Sequence, residues 1–297
     1  MPKLDTKILA GIELGGTRTV AVLGRGAEIF ERVKYPTTSP KETLHLLGER
    51  LARWDGIYPI AALGVAGFGP IVIDPAHPRF GHLLDTPKKG WSGADLLGPL
   101  GAILDCPSAI HTDVTAAALA EGQFGAARGC SDHVYITVGT GIGMGIVVAG
   151  QPVRGRLHPE AGHMRVARAF DDDFPGSCPF HGDCLEGIAS GVAIAQRAGK
   201  PGAKVADDDP LWDTVADALA QACANLRLTL ACERIVLGGG VIRGRPVLVE
   251  RIAERTSALI GGYLPDVAGM VVAAELGEDA GSKGALLLAA EALAVHA

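Results

Sequence analysis

Lys7-Ile8-Leu9-Ala10-Gly11-Ile12-Glu13-Leu14-Gly15-Gly16-Thr17-Arg18 starts as an apolar run, breaks at a glycine pair and gives way to a second apolar run over residues 19–23. A short apolar run bounded by turn residues reads as a buried strand, and two such runs joined through glycines read as a hairpin. The same shape returns at Thr137-Val138-Gly139-Thr140-Gly141-Ile142-Gly143, with strands expected over 134–138 and 144–148. Two glycine-turned hairpins about one domain apart predict a duplicated α/β fold.

Both turns also suggest chemistry. Glycine lets backbone N–H groups approach an anion without a Cβ in the way, and Thr17 and Thr140 add hydroxyl donors. Either turn alone reads first as an ordinary hairpin bend, because short glycine motifs are weak signals. A third cluster, Gly238-Gly239-Gly240, follows the expected strand 234–237, and three donor-rich loops in one chain point to a polyphosphate. Asp113 stands between the two hairpins, after a short strand at 108–111 and before an alanine-rich helix expected over 115–124. A carboxylate there can take a proton from an attacking hydroxyl, or it can cap the helix, a role that aspartate also favours.

Outward from these motifs, Ser39 precedes a helical pattern carried by Leu44, Leu47 and Leu51. Residues 60–66 read as a strand that ends in Gly67-Phe68-Gly69-Pro70, and residues 71–99 read as a long surface excursion rich in Pro, Gly, His and Lys. A long amphipathic helix is expected over 212–232 and an alanine- and leucine-rich helix over 281–297, whereas residues 153–186 show little periodicity and read as an insertion.

That insertion holds Cys178-Pro179-Phe180-His181-Gly182-Asp183-Cys184. Zinc takes four Cys and His ligands in a tetrahedron, and close spacing lowers the entropy lost on closing the loop. Cys178, His181 and Cys184 supply three ligands; His163 is the expected fourth, with His158 the other choice. Two thiolates would neutralise the ion, as in a closed structural site. Glu160 and Glu186 flank the segment; carboxylates can accept sugar hydroxyls, but taken alone these two read as surface charge.

The chain has 297 residues, 48% of them hydrophobic, and a formal net charge of −6. That length favours two domains. Its basic residues are dispersed, which argues against a nucleic-acid partner. Every apolar stretch is cut by glycines or charges, so none is expected to span a membrane and no leader is read at the N-terminus; the expected location is cytoplasmic. Six cysteines in such a chain point to metal rather than disulfides.

Taken in order, Glu13-Leu14-Gly15-Gly16-Thr17-Arg18, Thr112-Asp113, the Gly139-Thr140-Gly141 hairpin, Glu160-Ala161-Gly162-His163, the Cys/His run and Gly238-Gly239-Gly240 resemble the ROK family (repressors, open reading frames, kinases) over nearly the whole chain. The resemblance implies an actin/hexokinase-like ATPase fold, ribonuclease H-like, with two α/β domains flanking a cleft. It implies residues 1–113 plus 281–297 as the N-terminal domain and 114–280 as the C-terminal domain, with a zinc-binding insertion at 158–187. It implies ATP and a hexose as substrates, Mg²⁺ with the ATP, structural Zn²⁺, and a homodimer. By the same resemblance Asp113 is the general base; Gly15, Gly16, Thr17, Arg18, Gly139, Thr140, Gly141, Gly238, Gly239 and Gly240 hold phosphates. Gly67, Thr112, Asp113, Glu160, His163 and Glu186 lie at the sugar, with His163 also on zinc, and Glu13 reaches Mg²⁺ through water.

Within the family, Glu13, the loop Gly67-Phe68-Gly69-Pro70-Ile71, the segment Thr86-Pro87-Lys88-Lys89-Gly90-Trp91 and the Cys178–Cys184 run resemble the fructokinase branch. Three positions depart from the commoner family pattern: Glu13 stands for Asp, Arg18 for Lys and Thr112 for Asn. A glucokinase, a mannokinase or an N-acetylhexosamine kinase is the alternative expectation. A sugar-responsive regulator is the third; it would need a helix-turn-helix domain, and about ten residues precede the first hairpin.

Overall fold

The apolar run over Leu9–Leu14 (β1) forms a strand, turns at the glycine pair and returns as Arg18–Arg25 (β2). A computed structural model describes residues 7–26, 28–169, 172–265 and 267–296. The chain divides into two compact units: Met1–Ala120 with Val153–His158 and Glu278–Ala297, and Glu121–Pro152 with Pro159–Gly277.

In the first unit β2 continues antiparallel into Glu28–Pro36 (β3). Sequence reading missed β3 because exposed Glu28, Phe30, Arg32 and Lys34 alternate with half-buried Ile29, Glu31, Val33 and Tyr35, the pattern of a solvated edge strand. After helix Pro40–Asp55 (α1), Ala62–Gly67 (β4) pairs parallel with β1, and after helix Gly98–Leu104 (α2), Ser108–Thr112 (β5) pairs parallel with β4. The sheet order is β3-β2-β1-β4-β5. Ser39 caps α1 as expected, its Oγ accepting the Glu42 N–H at 3.3 Å.

Alternation along the strands sorts side chains to two faces. Ala10, Ile12, Leu14, Leu63 and Val65 join Leu47, Leu51 and Trp54 of α1. Leu9, Val20, Val22 and Ala62 meet Leu286 and Ala289 of the C-terminal helix Ala280–Val295 (α9). Residues 71–99 are a surface excursion only in part: residues 74–79 are exposed, but the large apolar side chains turn inward. Ile71, Leu83, Trp91 and Leu96 are fully buried in the α1-side core, because these large apolar side chains, scattered among turn residues, each gain about 1.5–3 kcal/mol by leaving water. Glycine sets how close α9 comes: a Cβ on Gly64 would collide with the Ala285 carbonyl, and one on Gly284 with the Ala116 carbonyl of helix Asp113–Phe124 (α3).

The second unit repeats the plan. His133–Val138 (β6) turns into Ile142–Val148 (β7) and Gln151–Pro152 (β8), while Arg234–Gly238 (β9) and Val271–Ala273 (β10) add in parallel. Its order, β8-β7-β6-β9-β10, reproduces that of the first sheet element for element, which is the duplication that the two hairpins predicted. Short helices Leu185–Ala189 (α4) and Gly191–Ala198 (α5) precede the long amphipathic helix Leu211–Leu230 (α6). Gly240–Gly244 (α7) and Val247–Ile260 (α8) follow β9. The fully buried Glu121 accepts N–H groups from Ala126 (2.8 Å), Leu276 (2.9 Å) and Glu275 (3.3 Å), so a buried carboxyl group ties the end of α3 to the loop after β10.

His111, just before the β5 terminus, makes stability pH-dependent. Its Nδ1 accepts the Thr112 N–H at 2.9 Å, which puts the ring proton on Nε2, a buried atom with no partner among the described residues. Burial, then His158 and Arg154, hold its pKa down at about 3. The unfolded ring titrates near 6.5, so this contribution is complete above that value and is lost as pH falls from 6.5 towards 3. Unfolding free energy is expected to fall by about 1.4 kcal/mol between pH 7.5 and 5.5 from this ring. Denaturant titrations at the two pH values should show a smaller fall in His111→Asn; an unchanged fall would remove His111 as the cause.

Candidate active site

The parallel strands of the first unit end in register, with Leu14 beside Gly67 and Gly67 beside Thr112. Open α/β sheets gather ligand-binding groups at that edge. Three sequence motifs therefore emerge side by side: the Gly15–Arg18 turn, the loop after Gly67, and Asp113.

The turn closes through the Gly15 N–H on the Arg18 carbonyl at 3.1 Å. The Thr37 hydroxyl donates to the Gly15 carbonyl at 2.7 Å, and the Lys88 ammonium donates to the Gly16 carbonyl. Gly16 and Thr17 are exposed. Arg18 pairs with Glu278 at 3.5 Å, both side chains half exposed. Glu13 points to the start of α9, where the Ser282 hydroxyl donates to its carboxylate at 2.9 Å; burial raises its pKa.

Asp113 is the first residue of α3 and is half-buried. Its Oδ1 accepts the Val114 N–H at 2.8 Å. The bond typical of a helix cap belongs to Thr112 instead: its buried Oγ accepts the Thr115 N–H at 3.2 Å and donates to the Thr115 hydroxyl at 2.8 Å. The helix therefore has its cap without Asp113, and the Thr112 hydroxyl is engaged within its own turn.

In the second unit Thr137 lies beside Gly238, so the 139–141 turn and Gly239-Gly240 leave the sheet together. Gly239 has φ +90°, and a Cβ there would strike the Val138 backbone. The Gly191 N–H donates to the Gly139 carbonyl at 2.7 Å, which brings the start of α5 to the turn. Gly139, Thr140, Gly191, Val192, Ala195, Gln196, Gly240 and Val241 line a cavity of about 550 Å³. One wall is apolar and the other is glycine backbone. Sequence reading found the glycines but not Gly191, Val192, Ala195 and Gln196, which carry no motif.

The same unit brings Glu160, His163 and Glu186 together. Glu186 Oε2 accepts the Ile142 N–H at 3.0 Å, and Glu186 Oε1 lies 4.0 Å from His163 Nδ1. Gly141 is small for this carboxylate, since a Cβ there would collide with it. Burial, and then the Glu186 charge, raise the Glu160 pKa to about 6.

His163, Cys178, His181 and Cys184 present ligand atoms all within 4.8 Å of one another. Cys178 Sγ lies 3.6 Å from His163 Nδ1 and 3.7 Å from His181 Nδ1, and Cys184 Sγ lies 3.5 Å from His163 Nδ1. The donor–donor edges of a tetrahedral zinc site with bonds of about 2.0–2.3 Å are about 3.3–3.8 Å, and these three separations match them. Paired backbone bonds between Cys178 and Gly182 form the bend that returns the chain for Cys184. His158, the other sequence candidate, is elsewhere: its Nε2 accepts the Ile71 N–H at 3.0 Å. The segment has little apolar core, and charge holds it instead. Asp172 takes Arg197 at 2.6 Å and Arg168 at 3.1 Å, and the bonds from Arg197 first of all hold its pKa down at about 2.

A duplicated β3-β2-β1-β4-β5 sheet with glycine turns at both parallel edges defines the actin/hexokinase-like ATPase fold. Comparison with known proteins places it further. The ROK family description matches residues 9–292, and the chain belongs to that family. It is 39% identical to the fructokinase of Pediococcus pentosaceus, over 96% of this chain and 99% of that one, and 38% identical to the fructokinase of Zymomonas mobilis, over 97% and 98%. Among solved structures it resembles the ROK hexokinase from Thermus thermophilus, with TM-score 0.81 and 27% identity over 97% of this chain and 99% of that one. No helix among the described residues is long and apolar enough to cross a membrane.

Proposed function

We propose that the protein transfers the γ-phosphoryl group of ATP to a hexose, with D-fructose as acceptor and fructose 6-phosphate as product. The observation that carries this reading is Asp113, half-buried at the strand-end edge and relieved of helix capping by Thr112. In the step, the sugar O6–H bond breaks and its proton passes to the Asp113 carboxylate. O6 bonds to the γ-phosphorus, the bond to the β–γ bridging oxygen breaks, and ADP leaves. Fructose as acceptor is supported by relatives named fructokinase at 38–39% identity across nearly the whole chain, and by the loop 67–71 and the segment 86–91.

In this reading the N–H groups of Gly16 and Thr17 meet the terminal phosphates, and Arg18, held by Glu278, is a charge at the rim. The turns at Gly139-Thr140-Gly141 and Gly238-Gly239-Gly240 take the rest of the nucleotide, with Val192, Ala195 and Val241 as an apolar wall for its base. The sugar-side groups that the resemblance supplies are the Gly67 backbone and Asp113 in the first unit, and Glu160, His163 and Glu186 in the second. Thr112 fixes the start of α3 beneath Asp113. Glu13 would hold Mg²⁺ through water, its carboxylate steadied by Ser282, and the ion would neutralise charge on the phosphate oxygens. Zinc on His163, Cys178, His181 and Cys184 would fix the segment that bears Glu160 and Glu186. A homodimer rests on the family resemblance alone; a cytoplasmic location and the lack of a nucleic-acid partner rest on the interrupted apolar stretches and dispersed basic residues of the sequence.

The test is a panel of hexoses with Mg²⁺-ATP. kcat/KM for fructose is expected to exceed that for glucose, mannose and N-acetylhexosamines by about tenfold or more, the scale of the net contribution of one hydrogen bond. Another leading hexose would move the acceptor; no ADP with any hexose from folded, metal-loaded protein would overturn the reaction.

A further inference from the structure

We infer that Lys88 is a positioning residue that aims the phosphate-binding amides of the first hairpin; the inference deepens the kinase reading and rests on it. The Lys88 ammonium donates to the Gly16 carbonyl and lies 3.5 Å from the Thr37 carbonyl. Thr37 works from the same side: its hydroxyl donates to the Gly15 carbonyl at 2.7 Å, its N–H donates to the Thr17 carbonyl at 2.9 Å, and its Oγ lies 2.8 Å from the Thr19 hydroxyl.

A trans peptide carries its C=O and the following N–H on opposite sides. Holding the Gly15 and Gly16 carbonyls on Thr37 and Lys88 therefore turns the N–H groups of Gly16 and Thr17 the other way. Both residues are exposed, and neither N–H has an acceptor among the described residues. Two adjacent outward amides make an anion-binding concavity. Glycine at 15 and 16 permits many other turn geometries, so without an outside brace the amides would not hold one direction. The Arg18 side chain adds no brace, because its guanidinium is on Glu278.

Lys88 is itself held. Trp91, fully buried, donates its indole N–H to the Thr38 carbonyl at 2.9 Å and its backbone N–H to the Lys88 carbonyl at 3.1 Å. Its ring packs edge-on against Phe68 with 5.2 Å between centroids. One short segment thus touches both the loop after Gly67 and the phosphate turn.

The experiment measures steady-state kinetics with ATP and fructose, fructose affinity by calorimetry, and melting temperature for wild type, K88M, K88R, T37V and T37S. In K88M, KM for ATP should rise by about tenfold or more, the size expected for loss of a charged hydrogen bond. Its fructose affinity should stay within about twofold and its melting temperature within a few degrees. T37V should show the same ATP-side signature, T37S should keep wild-type values, and K88R should fall between wild type and K88M. If K88M melts well below wild type, K88R and T37V decide. An unchanged KM for ATP in K88M and T37V overturns the inference, as does an equal loss towards both substrates. A wild type with no hexose-dependent turnover overturns the kinase reading itself, and the positioning role falls with it.

Discussion

Asp113→Asn is expected to lower kcat about a thousandfold while sugar affinity changes by no more than a few-fold. Asparagine has the same shape, and its side-chain oxygen can still accept the Val114 N–H that Asp113 Oδ1 now takes at 2.8 Å. It cannot take up a proton near neutral pH, so it removes the base and little else. A positioned general base contributes about 10²–10⁴ in rate, which sets the expected size. The Thr112 cap on α3 is untouched, so stability should hold, and a melting curve beside the kinetics separates lost chemistry from lost fold. Unchanged turnover would remove Asp113 from the mechanism.

Cys178→Ser and Cys184→Ser are expected to reduce bound zinc from about one per chain to a small fraction and to lower the melting temperature by about 10 °C. Structural zinc can contribute on the order of 10 kcal/mol to folding a small module. Only part of that should appear here, because Asp172, Arg168 and Arg197 also brace the segment. The loss should reach the sugar side, since Glu186 follows Cys184 by two residues and His163 belongs to the ligand set. KM for the hexose should therefore rise in both variants, and a chelator should reproduce the effect in wild type. One zinc per chain persisting in both variants would show that the ligand set is wrong.

Most of the strand framework was legible because buried strands write themselves as apolar runs and glycines mark their turns. β1, β2, β6, β7 and β9 all lie where the runs predicted. β3 was not legible, because an edge strand with one wet face carries its charges in alternation. The core role of residues 71–99 was hidden for a different reason: Ile71, Leu83 and Trp91 are too far apart in sequence to show any period, and only the folded chain gathers them. The Cys/His set could be read because metal ligation needs particular atoms at short spacing. His163 was the fourth ligand expected over His158, and the structure sets it, and not His158, beside the other three.

Side chains that act through the backbone were the least visible. The braces on the first hairpin, Thr37 and Lys88, lie 22 and 72 residues from the carbonyls they hold. Composition gives no hint of such pairs. Asp113 shows the opposite limit: alone it reads as a helix cap and between two glycine turns as a base, and one hydrogen bond from Thr115 to Thr112 shows which residue caps the helix.

The most direct test is a crystal structure with fructose and a non-hydrolysable ATP analogue, read at one distance. The account predicts an Asp113 carboxylate oxygen about 2.6–3.2 Å from the sugar O6, with the γ-phosphorus in line beyond that oxygen. A carboxylate turned away from the sugar, with another residue holding O6, would contradict it.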